Sequence, residues 1–374
     1  MEPTLRVGLQ WDVLRAEITL EGPFTCGPKV LGPGHYQVIA IGPDRLDLHD
    51  VQGKLLQSSA ELTLVPQDSH SVFALEHITI GRGFHWQREE RERFEGHLRL
   101  RAQPTGTCLV LNEIPLESYL ASVISSEMNP RSPLELLKAH AMISRSWIVA
   151  QLRRRRPIDA EMATTPQGRR QAPESPSPSF GAGPTPVPSR RNVIEIVRWT
   201  DRESHSDFDV CADDHCQRYR GIGPITQAAV QEAVQSTHGL ILACEGDVAD
   251  TRFSKCCGGM TEAFSTAWQD RDIPYLRGGC FDGERLPPEF PLPLTEEAHA
   301  RLWIESQPPA YCSLADPALR EMILPDSDRD TQDFFRWQAT IAQDELRQWI
   351  RTKLGCDIGA IRSLEPLQRG VSGR

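Results

Sequence analysis

Apolar and polar residues alternate through much of the first 110 positions. Leu5-Arg6-Val7-Gly8-Leu9, Tyr36-Gln37-Val38-Ile39-Ala40 and His97-Leu98-Arg99-Leu100 are broken up by Gly22-Pro23, Gly32-Pro33-Gly34 and Gly42-Pro43. That spacing predicts strands joined by turns. Phe84-His85-Trp86 reads as a further strand, its rings more at home in a core than on a surface.

The period changes after residue 115. Residues 116–152 predict two helices meeting at a corner, and the first closes on Val123-Ile124-Ser125-Ser126-Glu127-Met128-Asn129-Pro130. The second opens with Ser132 at the N-cap, Pro133 behind it and Glu135 at the third position, a capping box with a proline start. Leu137, Ala141, Ser144, Ile148 and Leu152 recur at helical spacing and form its buried stripe. Lys138 and Arg145 lie on a common face, which in an arbitrary helix is a solvated one.

From Arg153 to about Arg191 the pattern dissolves into Arg, Pro, Ser and Gly, a disordered insertion that builds no core. Beyond it, a helix is expected near Thr226–Gly239 with Gly239 as its cap. A strand at Leu240–Cys244, a helix near Glu296–Ser306, a strand at Phe334–Ala339 and a helix at Gln343–Lys353 stopped by Gly355 follow. The expected class is α+β: a β-rich part at 1–110, a helical segment at 111–152, the disordered insertion at 153–198, and a mixed remainder at 199–374.

Composition narrows this picture. Hydrophobic residues at 39% and charged residues at 25% suit a packed core, and 374 residues allow one large or two ordinary domains. A net charge of −10 argues against nucleic acid as a partner. No apolar run has the length of a membrane span, and no secretory signal is visible at the start of the chain.

Three places carry candidate chemistry. Glu127 sits where burial and the negative end of a helix dipole both disfavour a charged carboxylate, which is how a glutamate becomes a general acid near neutral pH. His205, Cys211, His215 and Cys216 supply four N/S ligands within twelve positions, the number zinc takes. The alternatives there are a Cys211–Cys216 disulfide or two buried thiols. Adjacent His215 and Cys216 can both ligate only if the backbone turns between them; otherwise Asp213, Asp214 or water completes the shell. Third, Arg252-Phe253-Ser254-Lys255-Cys256-Cys257-Gly258-Gly259-Met260-Thr261-Glu262 places two glycines where a backbone can approach a flat ligand. Cys257 activated by Lys255 is a rival nucleophile, and Cys256 and Cys257 are also alternative zinc ligands.

Several of these stretches resemble the SpoIID/LytB family of lytic transglycosylases and amidase enhancers. The resemblance rests on Asn112-Glu113-Ile114-Pro115-Leu116-Glu117-Ser118-Tyr119-Leu120, Ser126-Glu127-Met128, Leu137-Lys138-Ala139-His140-Ala141 and Ser144-Arg145-Ser146-Trp147. It continues in Asp214-His215-Cys216-Gln217-Arg218-Tyr219-Arg220-Gly221 and the double-glycine stretch. Asn129 replaces a family proline, His140 a glutamine, and Ser146-Trp147 a Thr-Tyr pair. Trp199-Thr200-Asp201-Arg202-Glu203 and the Cys-Cys-Gly-Gly variant resemble a Gram-negative-type branch not tied to sporulation.

The resemblance implies that Glu127 is the catalytic acid. It implies sugar contacts from Lys138, Arg145, Gln217, Tyr219, Ser254, Lys255, Gly258, Gly259 and Thr261, and a stacking or core role for Trp268. Some clostridial members carry a zinc site of similar arrangement, which favours structural zinc on His205, Cys211, His215 and Cys216. The implied partners are peptidoglycan glycan strands and, in the alternative reading of a non-catalytic activator, a cell-wall amidase. The implied location is the cell envelope or periplasm. Family members continue past the position of Arg374 with further strands, so a truncated chain is expected.

Overall fold

Period-two alternation becomes two sheets in the computed structural model, which describes residues 2–82, 87–155, 205–324 and 334–374. Strands β1 (Thr4–Val13), β2 (Arg15–Glu21), β3 (Phe24–Cys26), β4 (Lys29–Leu31), β5 (Gly34–Gly42) and β6 (Arg45–Asp50) come first. They are followed by β7 (Leu55–Ser59), β8 (Glu61–Pro66), β9 (Val72–Ile80), β10 (Arg88–Phe94), β11 (His97–Ala102) and β12 (Cys108–Pro115). In β2 the buried positions are Ala16, Ile18 and Leu20, every second residue, so one face of the strand meets the core.

Two helices follow directly, α1 (Leu116–Glu127) and α2 (Leu134–Arg155). After the undescribed stretch come β13 (Val210–Cys211), α3 (Ala228–Ser236), β14 (Ala243–Cys244), β15 (Asp247–Val248) and α4 (Phe264–Ala267). The chain ends with α5 (Glu297–Ile304), α6 (Pro317–Ile323) and α7 (Gln343–Leu354). Among the described residues, one sheet has the order β13-β1-β12-β11-β8-β3-β4 and the other β10-β9-β2-β5-β6-β7. A single apolar cluster joins both sheets to α1, α2 and α3, through residues such as Leu5, Ile18, Phe73, Leu120, Ala141 and Val230. The class is α+β.

Differences from the sequence reading trace to contacts between segments far apart in the chain. Leu240–Leu242 do not extend a strand; only Ala243–Cys244 pair, with Asp247–Val248. The backbone before them is held by α2 instead, because Arg145 Nη1 donates to Leu240 O at 3.1 Å and Leu242 N to Ser146 Oγ at 2.8 Å. Phe334–Ala339 form bends rather than a strand. There Arg336 reaches inward to carbonyls of Gly258, Trp303 and Ser306, and Trp337 is left 78% exposed.

Ser132 does not form the expected capping box: its Oγ donates to Met322 O at 3.4 Å, and Leu137 N bonds Pro133 O, which starts the helix later. Gly239 has the positive φ of a helix-ending glycine, +69°, but lies two residues beyond the cap at Thr237. Arg153–Arg155 continue α2 rather than open the insertion. The rest of that insertion, Phe84-His85-Trp86 and Trp199–Glu203 lie outside the described residues. The helix stop at Gly355 is as expected, with φ +68°.

Candidate functional site

The last turn of α1 is tied off by its own serines. Ser125 and Ser126 donate to Ala121 O and Ser122 O, each at 2.8 Å. Met128 then leaves in an extended conformation, and Asn129 turns the chain by gripping the end of α6. Its N–H donates to Ile323 O at 3.0 Å, and its Nδ2 to Glu321 O at 3.3 Å and Leu324 O at 3.0 Å. These bonds satisfy carbonyls that a helix C-terminus otherwise leaves without partners. A proline here, as in the family pattern, would lack the N–H and the amide.

Glu127 projects from this corner into a cleft of ≈ 170 Å³ that Asp214, His215, Gln217, Arg252, Ser254 and Lys255 also line. Trp147, Phe253 and Trp268 supply apolar walls, and Cys216 also faces it. Arg218 N donates to Glu127 Oε1 at 2.9 Å. Burial raises the Glu127 carboxyl above its ordinary 4.5, against the opposing effects of that N–H, Lys255 and Arg218. Asp214, the other acid of the cleft, is clamped by the Arg218 side chain at 2.9 and 3.0 Å.

A second cavity of ≈ 380 Å³ shares Arg252, Phe253, Ser254 and Trp268 with the first. Arg252 stacks its guanidinium on Trp268, 4.5 Å from the ring centre, and pairs with buried Asp250 at 2.9 Å.

Beside the cleft, His205, Cys211, His215 and Cys216 bring one ligand atom each to within 4.8 Å of one another. The chain does turn between the adjacent pair: Cys216 N donates to Asp213 O at 3.0 Å. β13 carries Cys211 and is pinned in parallel to Val7 and Gly8 of β1. Gly8 is required there, since a Cβ would lie 2.7 Å from the Phe208 ring, which packs 4.4 Å from His205.

The separations suit a tetrahedral ion. His215 Nδ1 lies 3.6 Å from Cys216 Sγ, 3.8 Å from Cys211 Sγ and 3.1 Å from His205 Nε2. Zinc bonds of about 2.3 Å to sulfur and about 2.0 Å to nitrogen give edges of about 3.5 and about 3.3 Å. Hydrogen bonds from Cys211 and both imidazoles draw Cys216 toward the thiolate, the form that binds metal. Asp213 and Asp214 are engaged otherwise: Asp213 accepts from the backbone of Gly81, Arg82 and Asp214, and Asp214 binds Arg218.

The structure brings Glu127, Gln217, Ser254 and Lys255 to one cleft, with Thr261 lining the adjoining cavity. It does not bring the other expected sugar contacts there. Arg145 is 1% exposed and binds Glu117 at 2.9 and 2.6 Å, holding α2 to the start of α1. Lys138 pairs with Glu135 at 2.8 Å, away from the cleft lining.

Tyr219 is core: it stacks on Tyr119 with ring centres 5.1 Å apart and donates to Asn112 Oδ1 at 2.6 Å. Gln217 is itself bridged to Tyr119 and to Ser144 O. Gly258 and Gly259 turn the chain toward Trp303: Gly258 O accepts from Trp303 Nε1 at 3.1 Å, and a Cβ on Gly259 would lie 2.9 Å from that ring. Cys257 bonds Asp282 and Cys312 rather than a histidine, which leaves the nucleophile reading without its base.

Sequence reasoning missed Arg252, Phe253, Trp147 and the Arg218 N–H as cleft elements. The first three stood inside recognised motifs; the backbone donor left no mark in the sequence. His140 was quoted only as a departure from the family pattern. It lies buried edge-on to Phe253, with ring centres 4.9 Å apart and no hydrogen-bond partner on either nitrogen among the described residues.

A buried acid in a cleft beside a His/Cys turn, on an α+β frame, defines a candidate acid/base site. The family profile described as Stage II sporulation protein (SpoIID) matches residues 105–177 and 185–243, which supports a SpoIID/LytB-family assignment for that part of the chain. That match suggests a cell-wall-related function. A profile described as Domain of unknown function (DUF8618) matches residues 262–374. No curated protein matches the chain. Among the described residues, no helix is long and apolar enough to cross a membrane.

Proposed function

We propose that this protein is a peptidoglycan lytic transglycosylase of the cell envelope, with Glu127 as its single acid/base. The observation that carries the reading is the environment of that carboxyl. It is the acid of the cleft raised by burial, while Asp214 is held in a bidentate ion pair. Hydrolysis with an activated water ordinarily engages two carboxylates. Attack by a hydroxyl of the same sugar engages one, because its effective molarity removes the need for an activated water and the carboxylate left by the first proton transfer serves as the base.

The N–H of Arg218 donates to Oε1, so the acidic proton resides on Oε2. Glu127 gives that proton to the oxygen leaving the MurNAc–GlcNAc bond. The carboxylate so formed is stabilised by the Arg218 N–H and by the positive field of Lys255. It then takes the proton of the MurNAc C6 hydroxyl as that oxygen closes a 1,6-anhydro ring. The cleft walls Phe253, Trp147 and Trp268 offer apolar faces to sugar rings.

His205, Cys211, His215 and Cys216 are the residues that would hold zinc. The ion would supply a cross-link fixing the turn that leads to Arg218.

The test is digestion of denuded glycan strands by wild type and Glu127→Gln, with mass detection of anhydro ends. Wild type should release them, and the variant should lose activity by ~10²–10⁴-fold with fold and glycan binding intact. Undiminished release by the variant refutes the assignment. No release by wild type turns the reading to a glycan-binding activator of a separate amidase.

A further inference from the structure

Two thiols and a carboxylate meet at the double-glycine turn, with a third thiol beside them. Cys257, Asp282 and Cys312 each bring a ligand atom to within 4.8 Å of the others, and the Cys256 side chain hydrogen-bonds Cys312. We propose that Cys257, Asp282 and Cys312 form a second metal site, taking a soft divalent cation of the zinc class, with the neighbouring Cys256 thiol, hydrogen-bonded to Cys312, placed to complete the shell. It is independent of the transglycosylase reading.

The spacing is that of a coordination shell. Cys257 Sγ lies 3.8 Å from Cys312 Sγ and 3.6 Å from Asp282 Oδ2. Around a tetrahedral zinc with bonds of about 2.3 Å to sulfur and about 2.0 Å to oxygen, the matching edges are about 3.8 and about 3.5 Å. Sulfurs at that distance stand well apart from the ~2.05 Å of a disulfide. A carboxylate facing two thiols is also a poor choice for a site that only packs, whereas mixed sulfur and oxygen donors suit a borderline-soft cation.

The surroundings are built like an outer shell. Cys312 N donates to Asp282 Oδ2 at 3.0 Å, which orients the carboxylate. Asp282 is fixed at both ends of its backbone, N to Gly259 O at 3.0 Å and O from Tyr311 N at 2.6 Å. Gly258 and Gly259, with φ of +72° and +91°, curl the chain directly after the cysteine pair.

Charge agrees with the assignment. Three thiolates and a carboxylate around a divalent ion carry net negative charge, and the half-buried Arg336 guanidinium lies within electrostatic reach of Cys256, Cys312 and Cys257. It is held there by the carbonyls of Gly258, Trp303 and Ser306.

The fold gives the ion something to do. The apolar cluster of this part of the chain is Met260, Leu294 and Trp303, with Phe281, Leu286 and Phe290 against it. A core that small is commonly stapled by a disulfide or a metal. An ion here would join three segments that have almost no regular structure.

Metal content of the full chain, purified under reducing conditions, tests the proposal. Wild type should carry two equivalents of zinc, matching the two clusters. Cys312→Ser should carry one fewer, and Cys211→Ser/Cys216→Ser should retain the equivalent assigned here. Asp282→Asn, which keeps size and shape, should weaken competition with a chromophoric chelator at least ~10-fold for one equivalent, should Cys312→Ser fail to fold. Metal content and chelator competition unchanged in both Cys312→Ser and Asp282→Asn overturn the proposal. So does a Cys257–Cys312 disulfide found by mass spectrometry in metal-free native protein.

Discussion

His140 allows a quantitative test of the packing behind the cleft. Its ring is 3% exposed on α2, and burial, assisted by the charge of Lys255, lowers its pKa from 6.5 to about 4. The unfolded chain takes up this proton near pH 6.5, while the folded protein refuses it until about pH 4. Between those limits the unfolded state binds more protons, so stability falls as pH falls. The gap from 6.5 to about 4, at about 1.4 kcal/mol per pH unit, amounts to about 3 kcal/mol.

The perturbation is His140→Gln, which removes the titration and restores the residue of the family pattern. The assay is urea unfolding of both proteins from about pH 7.5 down to about pH 4. The buried amide of Gln shifts the difference between the two by a constant. That difference should be flat above about pH 6.5, after which wild type should lose about 3 kcal/mol relative to the variant by about pH 4. A pH-independent difference would show that His140 is solvated or protonated in the folded protein, and the account of the buried ring would fail.

Arg145→Met should cost about 3–5 kcal/mol, because it leaves Glu117 without its partner inside the helix packing. Thermal unfolding reads this loss, and the KM of whatever fraction remains folded should not change. Asn129→Pro removes three hydrogen bonds to the end of α6 and should cost about 3 kcal/mol in chemical denaturation. Equal stability would mean that the corner does not depend on α6. Lys255→Met removes a charge that opposes the rise of the Glu127 pKa, so the acidic form should persist to higher pH. The alkaline limb of the pH–activity profile should move upward, and a downward move would contradict the placement of Lys255.

The sheets, α1, α2 and the stop at Gly355 were legible because periodicity and local caps determine them. Leu240–Leu242 and Phe334–Ala339 have β-like composition that tertiary contacts outweigh: Arg145 and Ser146 of α2 hold the first, and Arg336 within the second reaches out to carbonyls of Gly258, Trp303 and Ser306. Arg145 shows the same limit on the functional side. Its motif pointed toward the cleft, but its partner Glu117 lies 28 positions earlier and is visible only once the helices pack. The His/Cys cluster was readable because its four members fall within twelve positions. Asp282 and Cys312, at 25 and 55 residues from Cys257, left no trace beyond a surplus of cysteines.

The position of Glu127 follows from three separate pieces of chain, and this bears on how one acid can serve as both donor and acceptor. The end of α1 holds its backbone where the helix dipole and burial favour the neutral carboxyl. The turn after Cys216 contributes an N–H that favours the charged form. Lys255, from the 252–255 stretch, adds a second preference for charge. An acid pushed only upward would give up its proton too reluctantly, and one pushed only downward would rarely hold it. Opposed influences bring the two states closer in energy, as the proposed donation of one proton and acceptance of another requires. The Glu127 corner is held between α1 and α2, but the other two pieces lie in irregular chain, so the placement of all three depends on specific ties: Asn129 on α6, Cys211 on β1, and Arg336 behind Gly258. The two Cys-containing clusters lie on two of those pieces, where a bound ion would do most to keep the three pieces in register around the carboxyl.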